Sequence, residues 1–155
     1  MQRDIRDSPI YREAEQLFQL LRHTGSGLIY DAQEIDVNAA GTQAVFSGVF
    51  MDTPEGLPTT RVCLADLTNG AIRVLSFGPN SDREPKFSPD GAEIAFLSDR
   101  QKEGDYQLYF LNLSTGAARP GEPVNGWVEY FHWCPQGQRI LLGVAGHGAD
   151  VSGGQ

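Results

Sequence analysis

The chain has 155 residues, of which 40% are apolar and 21% are charged, and its formal net charge at pH 7 is -8. This acidic balance, with two lysines and no basic run, argues against nucleic acids and anionic membranes as partners. No apolar stretch approaches the length that crosses a bilayer, and the opening MQRDIRDSP lacks the apolar segment of a signal peptide, so the sequence predicts a cytoplasmic location.

The first predicted element is a short amphipathic helix. Ser8 is suited to the N-cap, Pro9 to the first helical position and Gly25 to the end of the helix. Apolar residues recur on one face at helical spacing: Ile10, Ala14, Leu17, Phe18 and Leu21. This helix and a linker occupy residues 1–28. Its apolar stripe needs a partner, which is either the rest of this chain or a neighbouring domain.

An internal repeat follows the helix. The stretches VNAAGTQAVF, FSPDGAEIAF and WCPQGQRILL align without gaps on Gly41, Gly91 and Gly137. Two further stretches, CLADLTNG and YFLNLSTG, end at Gly70 and Gly116. The distance from Gly70 to Gly91 is 21 residues, and so is the distance from Gly116 to Gly137. A shared register of this kind indicates a repeated structural unit.

Each aligned glycine is predicted to close a tight turn that leads into a buried strand. In SPDG, which ends at Gly91, proline presets the first turn dihedral, aspartate bonds the local backbone and glycine takes the left-handed conformation. One polar and three apolar residues then follow, and the apolar runs are Ala44–Phe46, Ile94–Phe96 and Ile140–Leu142. A continuous apolar run in a short strand predicts burial on both faces.

A repeat of 46 to 50 residues with several short strands is typical of one four-stranded blade of a β-propeller. The predicted fold class is therefore all-β: one helix, then about two and a half blades within residues 29–142, with repeats near 34–80, 84–126 and 128–142. The strands of the middle blade are predicted near 84–88, 93–98, 106–113 and 117–124. A β-sandwich also has regular turns, but it has no reason to repeat one turn at a constant register.

A closed propeller has roughly four to eight blades, which at this period is on the order of 200 residues or more. The chain is therefore expected to be part of a larger assembly, with the remaining blades on the rest of the polypeptide or on a second chain. A shortened chain and a ring closed by self-association stay open as alternatives. Residues 143–155, GVAGHGADVSGGQ, are predicted to form an exposed glycine-rich tail or loop.

No catalytic, cofactor-binding or metal-binding residue is predicted in this chain. The sequence holds no G-x-S-x-G, no H-E-x-x-H, no P-loop and no G-x-G-x-x-G after a strand. His23, His132 and His147 fall in different elements, which argues against a shared metal site. Cys63 and Cys134 lack a C-x-x-C pattern, so both are predicted to be free thiols.

Polar residues recur on the first strand of each predicted blade, the strand that lines the channel of a propeller. The repeat register makes two sets equivalent: Glu34, Glu84 and Tyr130, and then Asp36, Lys86 and His132. Some of these side chains are expected to face the channel. The alternative, that they are solvated strand ends, stays open for each of them.

The stretches KFSPDGAEIAFLSDR and YQLYFLNLSTG resemble the propeller repeat of TolB-type proteins. With the leading helix they also resemble the N-terminal propeller of the prolyl oligopeptidase family of serine peptidases, particularly its acylaminoacyl-peptidase branch. The resemblance covers roughly residues 31–142. It implies a hydrolase that cleaves short peptides, N-acylated ones being one option, with a Ser-Asp-His triad in a C-terminal α/β-hydrolase domain. The propeller of that family restricts access to the triad.

This chain has no hydrolase domain, so no catalytic residue of the family can be carried onto it. The first hypothesis is a non-catalytic propeller segment of a serine peptidase that gates access to a hydrolase domain outside this chain. The second is a TolB-like non-catalytic propeller that binds a protein partner through its face or channel. The leading helix and the absence of a signal peptide favour the first hypothesis.

Overall fold

The structure is a computed structural model that describes residues 4–22, 29–51 and 57–148. A 3-10 turn, Ile5–Asp7, precedes the helix α1 (Pro9–Arg22). The strands that follow are β1 (Ile29–Val37), β2 (Gln43–Phe50), β3 (Thr59–Asp66), β4 (Ile72–Val74), β5 (Asp82–Phe87), β6 (Glu93–Ser98), β7 (Gln107–Asn112), β8 (Ala118–Pro120), β9 (Trp127–Trp133) and β10 (Ile140–Ala145). The predicted class, all-β with one leading helix, is confirmed.

Helix α1 begins where the sequence predicts. The Ser8 hydroxyl accepts a hydrogen bond from the Tyr11 amide at 3.3 Å, and Pro9 is the first helical residue. On the predicted apolar stripe, Ile10 and Leu17 are exposed to 73% and 58%. The predicted end at Gly25 lies outside the described residues. In the described part of the chain, no helix is long and apolar enough to cross a membrane.

The strands form three antiparallel sheets in which each strand pairs with its neighbour in sequence. Strands β1–β4 form the first sheet, β5–β8 the second, and β9 and β10 the third. We call these sheets blades 1, 2 and 3. The consecutive order is that of propeller blades, and the four strands of blade 2 lie close to their predicted positions.

The aligned glycines occupy the same turns in successive blades. Gly41, Gly91 and Gly137 have φ values of 67°, 70° and 74°, and their amides donate to the carbonyl three residues earlier at 2.9, 2.8 and 2.8 Å. Gly70 and Gly116 have φ values of 75° and 71°, and each amide donates four residues back at 2.8 Å. Other residues rarely adopt this left-handed conformation. The predicted equivalence of the turns is confirmed.

The hydrophobic core lies between the blades. One cluster joins blade 1 to blade 2 and comprises Val45, Val62, Leu64, Phe87, Ile94, Phe96, Tyr109 and Leu111. A second cluster joins blade 2 to blade 3 and comprises Ala95, Leu97, Leu108, Val128 and Phe131. Strand β6 contributes alternate residues to the two clusters, so its continuous apolar run is buried on both faces, as predicted.

The same prediction is wrong for the apolar run of β10. Leu141 is 63% exposed, whereas its equivalents Val45 and Ala95 are fully buried against the next blade. At the other end, Ile35 on β1 is 63% exposed, whereas its equivalent Phe131 is fully buried against the preceding blade. Burial of both faces requires a sheet on each side, and among the described residues blades 1 and 3 have a neighbour on one side.

Four strand boundaries differ from the predicted ones. The first strand of each blade begins at Ile29, Asp82 and Trp127 rather than near 34, 84 and 128. Strand β10 extends to Ala145 rather than ending at 142, because Gly143–Ala145 continue to pair with β9. The remaining tail, 149–155, lies outside the described residues, so its exposure stays a prediction.

Candidate functional site

The polar residues predicted to line a channel lie on the first strands of the blades. The register confirms one set, because each member lies opposite the same position of the second strand in its blade: the pairs are Asp36–Val45, Lys86–Ala95 and His132–Leu141. We call Glu34, Asp36, Glu84, Lys86 and His132 the inner-strand cluster.

A bulge interrupts β1 and β5 at equivalent places. The register shifts after Gln33 in β1 and after Arg83 in β5. The residues that follow, Glu34 and Glu84, have φ values of 54° and 51°. A positive φ costs a residue with a side chain on the order of 1 kcal/mol or more. The same strained backbone therefore occurs in two successive blades, and other contacts must offset its cost.

At Glu34, hydrogen bonds offset the cost of the positive φ. Its Oε2 accepts hydrogen bonds from the Ser47 hydroxyl at 2.6 Å and from the Glu84 amide at 2.7 Å. The Glu84 amide also lies 3.1 Å from Ser47 Oγ, and Ser47 is fully buried. Hydrogen bonds to a charged acceptor are stronger than neutral ones. The Glu34 carboxylate thus joins blade 1 to the first strand of blade 2.

Ser47 was not identified from the sequence. It is the single hydroxyl in the apolar strand QAVFSGVF, at the position that Leu97 occupies in blade 2. When a strand is predicted to be buried on both faces, a polar residue in it is expected to have a hydrogen-bond partner. The partner itself could not be predicted, because it reaches Ser47 through the bulge at Glu34.

Two further members of the inner-strand cluster cross between blades. Asp36 Oδ2 accepts a hydrogen bond from the Phe87 amide at 2.8 Å. Lys86 Nζ donates to the Phe131 carbonyl at 2.7 Å and lies 4.9 Å from the centre of the Phe131 ring. Blade 1 therefore presents acceptors to the backbone of blade 2, and blade 2 presents a donor to the backbone of blade 3.

The Glu84 carboxylate makes no hydrogen bond to the residues that the structure describes. Burial raises the pKa of Glu84, and the neighbouring Glu34 charge raises it further, while Lys86, Arg83 and His132 act in the opposite direction. Ionisable groups from three blades therefore influence this carboxylate.

The predicted equivalence of Tyr130 with Glu34 and Glu84 does not hold for the backbone. Tyr130 pairs with Gly143, and the register shift in β9 falls at Glu129 instead. A Cβ atom at position 143 would lie 2.3 Å from the Tyr130 ring, so the ring occupies space that only glycine leaves open. The register shift in β9 thus coincides with a tyrosine ring that packs over Gly143.

The two described histidines, His132 and His147, pack against different aromatic rings. The His132 ring centre lies 6.1 Å from that of Tyr130, and the His147 ring centre lies 5.8 Å from that of Trp127. His23 lies outside the described residues. Within residues 4–22, 29–51 and 57–148, no group of three or more His, Cys, Asp or Glu residues is placed to hold a metal ion.

Among the described residues, Cys63, Ser47 and Ser88 lack the surroundings of an activated nucleophile. Cys63 and Cys134 are free, and burial raises the pKa of Cys63 to about 11, so its thiol is protonated at neutral pH. The buried Ser88 hydroxyl donates to the Asp90 carboxylate at 2.6 Å. It has the same kind of partner as the hydroxyl of Ser47. In a Ser-His-Asp triad, the serine hydroxyl has a histidine base in that position.

One curated protein gives a sequence match. The chain is 30% identical over 113 residues to the uncharacterized peptidase YuxL of Bacillus subtilis (strain 168), and the match covers 72% of this chain and 17% of that protein. The chain thus spans a small part of the length of this relative. No protein-family model matches the chain.

Solved structures with similar folds include TolB proteins and peptidases. A protein assigned as TolB from Agrobacterium tumefaciens superposes with a TM-score of 0.67 at 19% identity, over 82% of this chain and 42% of that one. The β-propeller domain of the Trilobed protease from Pyrococcus furiosus gives 0.57 at 15% identity, over 74% and 34%. Acylaminoacyl peptidase from Pyrococcus horikoshii gives 0.55 at 17% identity, over 72% and 16%.

These similarities establish the fold. The described blades form part of a β-propeller, with their strands in consecutive order and their turns in a constant register. The comparisons also agree with the resemblance drawn from the sequence, to TolB propellers and to the propellers of acylaminoacyl peptidases.

Proposed function

We propose that this chain is a non-catalytic propeller segment of a serine peptidase that hydrolyses short peptides, N-acylated ones among them. In this role it gates access to a hydrolase domain that lies outside these 155 residues. The observation that carries the proposal is the 30% identity with a protein named a peptidase, which extends over 113 residues of the chain.

The position of the inner-strand cluster supports a gating role. In a propeller, the first strands of the blades surround the central channel. Glu34, Asp36 and Lys86 hold neighbouring first strands together through hydrogen bonds of 2.7 to 2.8 Å. Cross-links of this kind would resist separation of the blades, which a gate that excludes folded proteins requires.

The exposed ends of the arc support the proposed partners. Ile35 and Leu141 are each 63% exposed at positions that are buried in the neighbouring blades. Further blades would cover them, and the hydrolase domain would sit against the completed propeller. The cytoplasmic location expected from the sequence stays a prediction, as does homo-oligomerisation.

A fluorophosphonate probe, which reacts with activated serines, tests the division of roles. The 155-residue chain and a longer polypeptide or assembly that contains it are treated in parallel and assayed on a short acylated peptide. The isolated chain should be unlabelled and inactive, because its buried Ser47 and Ser88 hydroxyls face carboxylates rather than a histidine. The assembly should carry the label outside these residues and cleave the peptide.

Two results would contradict the proposal. A label on Ser47, Ser88 or another serine of this chain would place the chemistry in the propeller. An assembly that takes up no probe would instead favour the second candidate, a TolB-like propeller that binds a protein partner. The TM-score of 0.67 with a protein assigned as TolB is the observation in favour of that candidate.

A further inference from the structure

A groove crosses the face of the propeller that carries the glycine turns, at the boundary between blades 1 and 2. Its inner part, about 500 Å³, lies between residues 36–40 and 87–91. Its outer part, about 380 Å³, extends to Arg73 on β4 and to Leu113 after β7. Gly91 lines both parts, so we call them together the turn-face groove. Both blades that border it are complete four-stranded sheets.

The groove is open because blade 1 has a small residue where the later blades have proline. In the aligned turns, Ala39 is equivalent to Pro89 and Pro135. Between blades 2 and 3, the ring of Pro89 lies 3.7 Å from the place that a Cβ atom of Gly137 would occupy. At Gly91, the equivalent glycine one blade earlier, no atom lies within 4 Å of that place. The methyl group of Ala39 therefore leaves a space that a proline ring fills at the next boundary.

The inner part of the groove is acidic. Asp36 and Asp90 line it, and none of the described residues around it is basic. Asp36 accepts the Phe87 amide through Oδ2, and Asp90 accepts the Ser88 hydroxyl through Oδ1, so each carboxylate keeps one oxygen without a partner among the described residues. The hydrogen bond from Ser88 lowers the pKa of Asp90, which is therefore ionised at neutral pH. Carboxylates beside an apolar wall suit a basic side chain with an apolar stem.

The outer part of the groove is lined by Arg73, which is exposed. Its equivalent in blade 2 is Arg119, whose Nη2 lies 2.9 and 3.1 Å from the carboxylate oxygens of Glu93. In blade 1 the place of Glu93 is taken by Gln43, which is neutral and also lines the groove. Arg73 forms no ion pair in the described part of the chain, so its guanidinium is available to an acidic group.

The two ends of the groove have opposite charges at a spacing set by the sheet. Asp36 lies on β1 and Arg73 on β4, the first and last strands of blade 1. Neighbouring strands are about 4.8 Å apart, so the two residues are separated by about 14 Å across the sheet. An extended chain advances about 3.3 Å per residue and covers this distance in about four residues. The complementary ligand is an extended segment with a basic and an acidic residue about four positions apart.

From these observations, we propose that the turn-face groove binds an extended segment of a second protein. The basic side chain of that segment lies beside Asp36 and Asp90, and its acidic side chain lies beside Arg73. The occupant is a second protein because the blades that complete a propeller add beside blades 1 and 3 within the ring and leave the turn face uncovered. The proposal does not rest on the peptidase function.

The differences between blades 1 and 2 support this assignment because they coincide at the groove. Asp36 replaces the equivalent Lys86 and supplies a negative charge. Ala39 replaces a proline and opens the space over the next turn. Gln43 replaces a glutamate and leaves the neighbouring Arg73 without an ion pair. Three residues of one blade thus change in the ways that a charged, extended ligand requires.

A pentapeptide with the sequence RAVAE, acetylated and amidated at its ends, provides the probe. It is titrated into the isotope-labelled 155-residue chain, and the backbone amide signals are followed by NMR. The expected result is a saturable shift of signals from residues 36–43 and 87–92. The peptide QAVAQ, which lacks both charges, should bind about fivefold more weakly or less tightly still, because it loses two exposed ion pairs.

Two substitutions give blade 1 the residues that blade 2 has at the same positions. Ala39→Pro fills the inner part of the groove and should weaken binding more than about tenfold, without lowering the melting temperature, because proline suits this turn position. Gln43→Glu gives Arg73 the partner that Arg119 has, so RAVAE and RAVAQ should then bind equally. Arg119→Gln changes the equivalent arginine outside the groove and is the matched control, with an expected effect below about twofold.

Each other outcome overturns the proposal. No saturable shift, or shifts away from residues 36–43 and 87–92, would exclude this groove as the binding site. Equal binding of RAVAE and QAVAQ would exclude the charge complementarity, and unchanged binding to folded Ala39→Pro would exclude the space over Gly91. If Ala39→Pro fails to fold, a preference for RAVAE over RAVAQ that survives Gln43→Glu contradicts the role of Arg73. Concentration-dependent shifts of the same signals without peptide would assign the groove to a second copy of this chain.

Discussion

Replacing Glu34 and Glu84 separately by glycine tests whether the Glu34 carboxylate holds blades 1 and 2 together. The two residues have nearly the same backbone, with φ values of 54° and 51°, so glycine relieves the same strain at both positions. They differ in their side chains. Glu34 accepts two hydrogen bonds at 2.6 and 2.7 Å, whereas the Glu84 carboxylate accepts none from the described residues.

The magnitude follows from these contacts. Relief of about 1 kcal/mol of strain is offset by about 0.5–1 kcal/mol of extra backbone entropy in the unfolded glycine chain. Glu84→Gly should therefore lower the free energy of unfolding by no more than about 0.5 kcal/mol, and loss of the Glu84 charge, whose ionisation opposes folding, acts in the stabilising direction. Glu34→Gly also loses two charge-assisted hydrogen bonds, each worth about 1 kcal/mol at this partly solvated site, and leaves the buried Ser47 hydroxyl without its acceptor.

The expected difference between the two variants is about 2 kcal/mol, or about 4–8 °C in the melting temperature of a chain of this size. Urea and thermal unfolding of the 155-residue chain, followed by circular dichroism, measure it. If the two variants lose the same stability, the hydrogen bonds of Glu34 contribute nothing beyond the backbone effect. If Glu84→Gly is the less stable variant, the contact between blades 1 and 2 depends on Glu84 instead.

Two further predictions concern charged groups. Arg100→Ala should lower the free energy of unfolding by about 3 kcal/mol, because it leaves the carboxylate of Asp82, which is 2% exposed, without its partner at 3.0 Å. The control is Arg119→Ala, which breaks an exposed ion pair and should lower the free energy of unfolding by less than about 1 kcal/mol. Urea titration measures both variants. The pKa of Glu84 is raised above its ordinary value of 4.5 in the folded chain, so its ionisation opposes folding as the pH rises. Glu84→Gln should accordingly gain stability relative to the unchanged chain as the pH rises from below 4.5, and a constant difference across that range would contradict the assigned cause.

The repeat was predictable because its signals are local. The turn at Gly91 needs a residue with a positive φ, and glycine adopts that conformation most readily. The three aligned glycines have φ values of 67° to 74°. The apolar run Ile94–Phe96 likewise carries its own evidence of burial on two faces. Strand order and turn equivalence therefore followed from the sequence alone.

The contacts between blades were not predictable in the same way. The hydrogen bond from Ser47 to Glu34 depends on a bulge in which the residue with a positive φ is Glu34 rather than a glycine. The sequence therefore gives no sign of the bulge. Burial is a property of neighbours as well as of sequence: Leu141 follows the same pattern as Ala95, yet it is exposed because no described blade covers it. Tyr130 departs from the predicted register, and its ring occupies the space over Gly143 that a side chain at position 143 would fill.

The blades share their turns, but the hydrogen bonds between blades 1 and 2 differ from those between blades 2 and 3. At the position of Asp36 in blade 1 stands Lys86 in blade 2, so an acceptor for the Phe87 amide is replaced by a donor to the Phe131 carbonyl. If blade 2 occupied the place of blade 1, the lysine would meet a backbone donor with no acceptor available to it, a mismatch that costs the desolvation of both groups. The charge reversal therefore makes the contact between blades 1 and 2 chemically different from the contact between blades 2 and 3, although the turns and apolar strands are similar in each blade.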